Sequence, residues 1–135
     1  MYKNILVPVA YDHDHSDLQP LEVVRLLADA GARVTLLHVM DEVPNYAISY
    51  MPEDFRIKAR EAIYRDLEAR ASAIPGCEAR VIDGTPGSTI LDFAGEHGVD
   101  LIVIASHRPG MRDYFLGSTA ARVVRHADCA VHVLR

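Results

Sequence analysis

Apolar residues follow two different spacings along this chain. Short apolar runs rich in Val, Ile and Leu are typical of strands buried on both faces of a sheet. Strands are predicted at 2–9, 34–40, 77–82, 100–105 and 129–134, of which 77–82 also carries two charged residues. The segments between them place apolar residues three or four positions apart, which is the spacing of an amphipathic helix. Helices are therefore predicted at 18–30, 52–74, 86–97 and 118–126.

Glycine and proline mark the ends of these segments. Gly31 is expected to end the first helix and Gly98 the third, while Pro86 suits the first turn of the third. Pro75 and Gly76 are expected to stop the second helix. The apolar stripe of that second helix is predicted to consist of Phe55, Ala59, Ala62, Ile63, Leu67, Ala71 and Ile74.

Strands that alternate with helices indicate an α/β fold. We predict one domain over residues 1–135, with a five-stranded, parallel, doubly wound (Rossmann-like) sheet in the order 3-2-1-4-5 and four helices. In such sheets a ligand binds at the carboxyl ends of the strands, where the winding reverses. The predicted crevice lies between the first and fourth strands, bordered by the loops at 10–17 and 105–117.

Composition and charge exclude several classes of protein. The formal net charge of −5 argues against a nucleic-acid binder, which would carry a basic face. Apolar runs are too short for a membrane span, and the segment after Met1 has the pattern of a strand rather than of a signal peptide. Two isolated cysteines, Cys77 and Cys129, indicate a reducing compartment. We therefore expect a cytoplasmic protein that binds neither membrane nor nucleic acid.

The loop that leads into the fourth helix is the strongest candidate for a phosphate site. Gly117, Ser118 and Thr119 open that helix, whose free N–H groups and dipole favour an anion. Capping of the helix by the Ser118 or Thr119 hydroxyl is expected in any case. Phosphate binding would come in addition to this structural role.

The residues just past the fourth strand are further candidates. Ser106 and His107 lie where ligands gather, although His107 could instead bond only the loop backbone. Arg108 could neutralise phosphate charge or remain solvated at the surface. Gly110 is expected to provide a turn after Pro109, with or without a ligand role.

No catalytic residue and no resident metal ion are predicted. The loop at 11–17 is rich in Asp and His, but alternating loop residues do not converge without defined turns, and no second ligand cluster is evident. The sequence shows no recognisable Walker A motif, catalytic triad or pair of catalytic carboxylates. A phosphoacceptor receiver domain is rejected because it needs a lysine after the fifth strand, whereas Lys58 is the last lysine.

Several motifs together resemble the universal stress protein family, over essentially the whole chain. They are N-I-L-V-P-V at 4–9, L-L-H-V at 36–39, G-T-P at 84–86, V-D-L-I-V-I-A-S-H at 99–107 and L-G-S-T onward from 116. ATP-binding members of the family carry Gly, two residues, Gly, nine residues and then Gly-Ser or Gly-Thr. Here Ala105 and Arg108 replace the two glycines, and eight residues separate Arg108 from Gly117. The shortened loop resembles a sub-branch in which some members bind ATP.

The resemblance implies a stress-response regulator that binds ATP, or AMP or ADP, with little or no turnover. Mg²⁺ would accompany a bound triphosphate. Family binders place Asp after the first strand, where this chain has Ala10 with Asp12 two residues later, and use the position of Val39 for the adenine edge. The implied nucleotide-binding residues are Pro8, Val9, Ala10, Asp12, Val39, Ala105, Ser106, His107, Arg108, Gly110, Gly117, Ser118 and Thr119.

The assembly is predicted from the last strand. Residues 129–134 are predicted to form an apolar strand at the edge of the sheet. An unpaired edge strand can pair with a strand of another chain, and the resemblance implies a homodimer through this strand. An alternative function stays open, namely a nucleotide-free dimeric interaction module that kept the fold and lost the ATP site. Ala10, Ala105 and Arg108 favour this alternative, whereas Gly117 and Ser118 favour nucleotide binding. The sequence names no protein partner.

Overall fold

Strands and helices alternate as the apolar pattern predicts. A computed structural model describes residues 1–11, 19–42, 46, 50, 52, 54–106 and 116–135. Within these residues the elements, numbered here in chain order, are β1 (Tyr2–Pro8), α1 (Gln19–Leu27), β2 (Ala28–Met40), α2 (Phe55–Ala71), β3 (Cys77–Asp83), α3 (Pro86–Glu96), β4 (Leu101–Ala105), α4 (Ser118–His126) and β5 (Ala130–Leu134).

The five strands form one parallel sheet in the order β3-β2-β1-β4-β5. The central strand β1 pairs with β2 on one side and β4 on the other, so that Ile5 lies between Val34 and Leu101. Because all strands are parallel, their carboxyl ends meet at one edge of the sheet. The predicted fold class and strand order are confirmed.

Successive residues of the strands pack on opposite faces of the sheet, as a pleated strand requires. Ile5 and Leu36 belong to the buried cluster under α1 and α2, which contribute Val24 and Leu67. Leu6 and Leu37 belong to the second cluster, on the other face, under α3 and α4. Helices on both faces explain why inner strands such as β4 carry continuous apolar runs rather than alternating ones.

The first helix is shorter than its apolar spacing predicts. Helix α1 ends at Leu27 and β2 begins at Ala28, so the prediction that Gly31 ends the helix is wrong. The strand starts early because Tyr2 of β1 pairs with Ala28, after which the register shifts and Asn4 pairs with Arg33. Gly31 lies inside this irregular stretch with φ of 78°, a conformation that glycine adopts without strain.

Helix α2 is also shorter than predicted, and only its second half is buried. Leu67 and Ala71 are buried against the sheet, followed by Ile74 beyond the helix end. Phe55 is 56% exposed and Ala62 is exposed, so the predicted stripe is wrong at these two positions, whereas Ala59 and Ile63 are half-buried. In the part of the chain that the structure describes, no helix combines the length and apolar character needed to cross a membrane.

The two edges of the sheet differ in how their backbone groups are used. At the β3 edge the Arg60 guanidinium donates to the Val81 carbonyl oxygen at 2.9 Å and pairs with the Asp83 carboxylate at 2.7 Å. At the β5 edge the Leu134 carbonyl faces inward, where it accepts from the Ser106 N–H at 2.7 Å. Backbone groups alternate sides along a strand, so Val131 directs its N–H outward.

Candidate functional site

The winding of the sheet reverses between β1 and β4, and the predicted crevice lies past the carboxyl ends of these two strands. Beyond Pro8 the chain leans toward β2, because the Val9 N–H donates to the Leu37 carbonyl oxygen at 2.8 Å. Beyond Ala105 it leans toward β5, through the bond from the Ser106 N–H to Leu134. The two neighbouring strands therefore part at the point where a doubly wound sheet binds ligands.

The β4 side of the crevice joins the start of α4. The Gly117 N–H donates to the Ser106 carbonyl oxygen at 2.5 Å, which places the first turn of the helix beside the end of β4. Ser106 is buried, whereas Ala105 and Ser118 are exposed and Gly117 and Thr119 are half-buried. The residues that sequence analysis singled out on these two elements are thus brought together.

The predicted capping of α4 is wrong. The residue at the N-cap is Gly117, with φ of −57° and ψ of 154°, and no side chain caps the helix. Ser118 and Thr119 are its first two residues. The first N–H groups of a helix have no partner within it, and the first turn of α4 contains no acidic residue. The helix start therefore keeps its preference for an anion.

The β1 side of the crevice is formed by the exit of β1 and the neighbouring end of β2. Pro8 and Val9 are half-buried and Ala10 is exposed. The side chain of Val39 is buried in the cluster under α3 and α4, so only its backbone could meet a ligand. His38 contacts the exit of β1, since its Nδ1 lies 2.7 Å from the Val9 carbonyl oxygen.

A polar cluster between the exit of β1 and helix α2 was not predicted from the sequence. The Tyr11 hydroxyl donates to the Asp66 carboxylate at 2.5 Å, and Arg70 pairs with the same carboxylate at 3.0 Å. The Tyr11 ring stands edge-on to the His38 ring, with centroids 5.0 Å apart. Burial and the bond to Asp66 raise the pKa of Tyr11 above its ordinary value, so the hydroxyl stays a donor at neutral pH. The only hint in the sequence is the polar His38 inside an apolar strand.

Four predicted site residues lie outside the described residues, namely Asp12, His107, Arg108 and Gly110. The same holds for the Asp and His residues of the loop at 12–17. Among the residues that the structure describes, no group of three or more His, Cys, Asp or Glu side chains is arranged to hold a metal ion.

The Universal stress protein family model matches residues 1–135, and the chain belongs to this family. Universal stress protein G from Escherichia coli O157:H7 is 28% identical over 144 residues and is covered completely, as is this chain. Universal stress protein YxiE from Bacillus subtilis is 30% identical over 152 residues, with both chains fully covered. The structure of UspA from Lactobacillus plantarum is 29% identical, with a TM-score of 0.73 and coverage of 99% of this chain and 98% of the other.

Similar folds have been solved with adenine nucleotides bound. The Archaeoglobus fulgidus protein in complex with dAMP is 23% identical, with a TM-score of 0.66 and coverage of 99% of this chain and 98% of the other. The Arabidopsis thaliana protein with AMP bound is 20% identical, with a TM-score of 0.65 and coverage of 98% and 90%. A universal stress protein in complex with cAMP is 23% identical, with a TM-score of 0.68 and coverage of 99% and 97%.

Proposed function

We propose that this chain is a nucleotide-binding stress-response regulator that holds ATP, or AMP or ADP, in the crevice between β1 and β4. The observation that carries the proposal is the bond from the Gly117 N–H to the Ser106 carbonyl oxygen, which sets an uncapped helix start beside the mouth of the crevice. Helix starts of this kind bind phosphate groups. The adenine nucleotides held by relatives of the same fold favour the same ligand class.

The nucleotide is proposed to lie across the crevice from α4 to β2. Its phosphates meet the backbone N–H groups of Ser118 and Thr119, since the Gly117 N–H already donates to Ser106. The small, exposed side chain of Ala105 leaves room beside them. The base and sugar meet Pro8, Val9, Ala10 and the backbone of Val39. Ser106, His107, Arg108 and Gly110 are proposed at the phosphates, Asp12 at the nucleoside, and Mg²⁺ accompanies a triphosphate.

The proposed role is binding rather than turnover, in the cytoplasm. The sequence carries neither a Walker A motif nor a legible catalytic triad, so no residue is given a catalytic role. Cys77 and Cys129 are free thiols, and burial raises the pKa of Cys77 to about 11. A thiol with a raised pKa stays protonated and unreactive at neutral pH, which fits a structural cysteine in a reducing compartment.

A second function is favoured by three substitutions. Ala10, Ala105 and Arg108 stand where ATP-binding relatives carry Asp and two Gly residues. Compared with glycine, the Cβ of an alanine or arginine at these positions keeps the backbone farther from a phosphate group. On this alternative the chain is a dimeric interaction module that keeps the fold and binds no nucleotide.

Nucleotide content separates the two functions. Freshly purified protein is denatured and its supernatant analysed by HPLC, and ATP with Mg²⁺ is then titrated into nucleotide-free protein by calorimetry. We expect copurified adenine nucleotide, or micromolar binding at one site per chain. Protein that is empty and gives no heat of binding with ATP, ADP or AMP would contradict the proposal and favour the interaction module.

The proposed homodimer forms through the free edge of β5. Val131→Pro removes an N–H that points away from β4, so the inner ladder between β4 and β5 stays intact. We expect wild-type protein to be a dimer at micromolar concentration by light scattering and the variant to be a folded monomer. His132→Pro is the contrasting variant, because its N–H faces β4 and its loss should destabilise the fold. A wild-type monomer, or a Val131→Pro dimer, would contradict the proposed pairing.

A further inference from the structure

We propose that His38 and Tyr11 are positioning residues that fix the exit of β1 so that the Ala10 N–H faces the crevice and donates to the nucleoside end of the nucleotide. The proposal rests on the proposed function and adds to it the residues that shape its nucleoside side. Neither side chain belongs to the predicted set of ligand contacts, and both act through the backbone of residues 9 and 10.

His38 orients the peptide group between Val9 and Ala10. A carbonyl oxygen only accepts hydrogen bonds, so the 2.7 Å contact means that Nδ1 of His38 carries the proton and donates to Val9. The Val9 N–H is also held by β2, through Leu37 at 2.8 Å. Both backbone polar groups of Val9 are thereby turned toward β2.

Because the peptide group between Val9 and Ala10 is planar and trans, the direction of the Val9 carbonyl also fixes the direction of the Ala10 N–H. In a trans peptide the carbonyl oxygen and the following N–H point in opposite directions, and no described peptide bond is cis. With the Val9 oxygen directed to His38, the Ala10 N–H points away from β2, toward the β4 side, where the crevice opens. Within the described residues this N–H has no backbone acceptor.

Tyr11 holds the next residue against the helix that covers this face. Its hydroxyl donates to Asp66, Arg70 pairs with that carboxylate, and the Arg70 guanidinium lies 5.6 Å from the centre of the Tyr11 ring. The same ring packs edge-on against His38 and supports it. Residues 9 to 11 are therefore ordered by contacts with β2 and α2 before any ligand binds. The free energy of binding is then not reduced by the entropy lost in ordering them.

The test compares two ligands on matched histidine variants. His38→Phe keeps an aromatic ring against Tyr11 and removes the donor to Val9. His97→Phe is the control, because His97 also has Nδ1 at 3.0 Å from a backbone carbonyl, that of Phe93, and stacks on an aromatic ring at 3.8 Å. His97 follows α3, near the amino end of β4, and is not in the crevice. AMP probes the whole site, and inorganic tripolyphosphate probes the phosphate side alone.

We expect His38→Phe to bind AMP about tenfold more weakly, the affinity equivalent of ordering roughly one residue. Tripolyphosphate affinity should not change, and His97→Phe should bind both ligands like wild type. Tyr11→Phe, which loses only the hydroxyl, should shift AMP affinity in the same direction.

Three outcomes would overturn this inference. Unchanged AMP binding in His38→Phe and Tyr11→Phe would remove the positioning role alone and leave the proposed function standing. Equal weakening of AMP and tripolyphosphate would mean a general structural role instead. Wild-type protein that binds no AMP would overturn the proposed function together with this inference.

Discussion

Ser118→Asp is expected to weaken ATP binding by about 10- to 100-fold, the effect of one like charge set a few ångströms from the phosphates in a partly solvated site. Ser118 is the exposed first residue of α4. A carboxylate at a helix start interacts favourably with the dipole, so the same change should leave the free energy of unfolding equal or slightly higher. Calorimetric titration and urea unfolding of the same preparation measure the two quantities.

Ser88→Asp provides the matched control for this charge. Ser88 lies in the first turn of α3, which also begins at the carboxyl edge of the sheet and has no acidic residue in its first turn. The control should bind ATP like wild type. If Ser118→Asp binds ATP with unchanged affinity, or if both variants weaken it equally, the phosphates do not meet the start of α4.

Leu67→Ala is expected to lower the free energy of unfolding by about 2–5 kcal/mol, the usual cost of removing a fully buried leucine side chain. Leu67 is fully buried in the cluster that joins α2 to Ile5 and Leu36 of the sheet. Its loss leaves a cavity beneath the turn that carries Asp66 and Arg70. Urea unfolding followed by circular dichroism gives the change directly.

Ile57→Ala is the control for this core substitution in the same helix. Ile57 is 59% exposed, so its truncation should change the free energy of unfolding by no more than about 0.5 kcal/mol. Similar losses in the two variants would mean that the first half of α2 is packed in solution, against a surface not seen in the isolated chain.

Most of the fold could be predicted because strand burial and helix amphipathicity leave a direct trace in the sequence. The run from Leu101 to Ile104 is buried at every position, which periodicity and composition indicate together. Right-handed crossovers between parallel strands leave few possible strand orders, and the observed order is one of them. The meeting of Ser106 with Gly117 then follows as well, because both lie at the carboxyl end of β4.

The features of the fold and the site that the sequence did not predict depend on contacts between residues far apart in the chain. Whether Gly117 or Ser118 is the cap of α4 depends on the backbone angles of Gly117, which its hydrogen bond to Ser106 helps to fix. The early start of β2 depends on the pairing of Ala28 with Tyr2. The contact of His38 with Val9 joins residues 29 positions apart, and no local pattern encodes it.

The guanidinium at the β3 edge bears on how many copies can assemble. A sheet with two bare edges can add copies at either end without limit, as fibres do. In the proposed dimer, pairing consumes the β5 edge of each chain and leaves only β3 edges facing outward. There the Arg60 guanidinium already donates a hydrogen bond to the Val81 carbonyl oxygen, so this oxygen is less available to pair with a further chain. One arginine thus favours a closed pair over an open polymer.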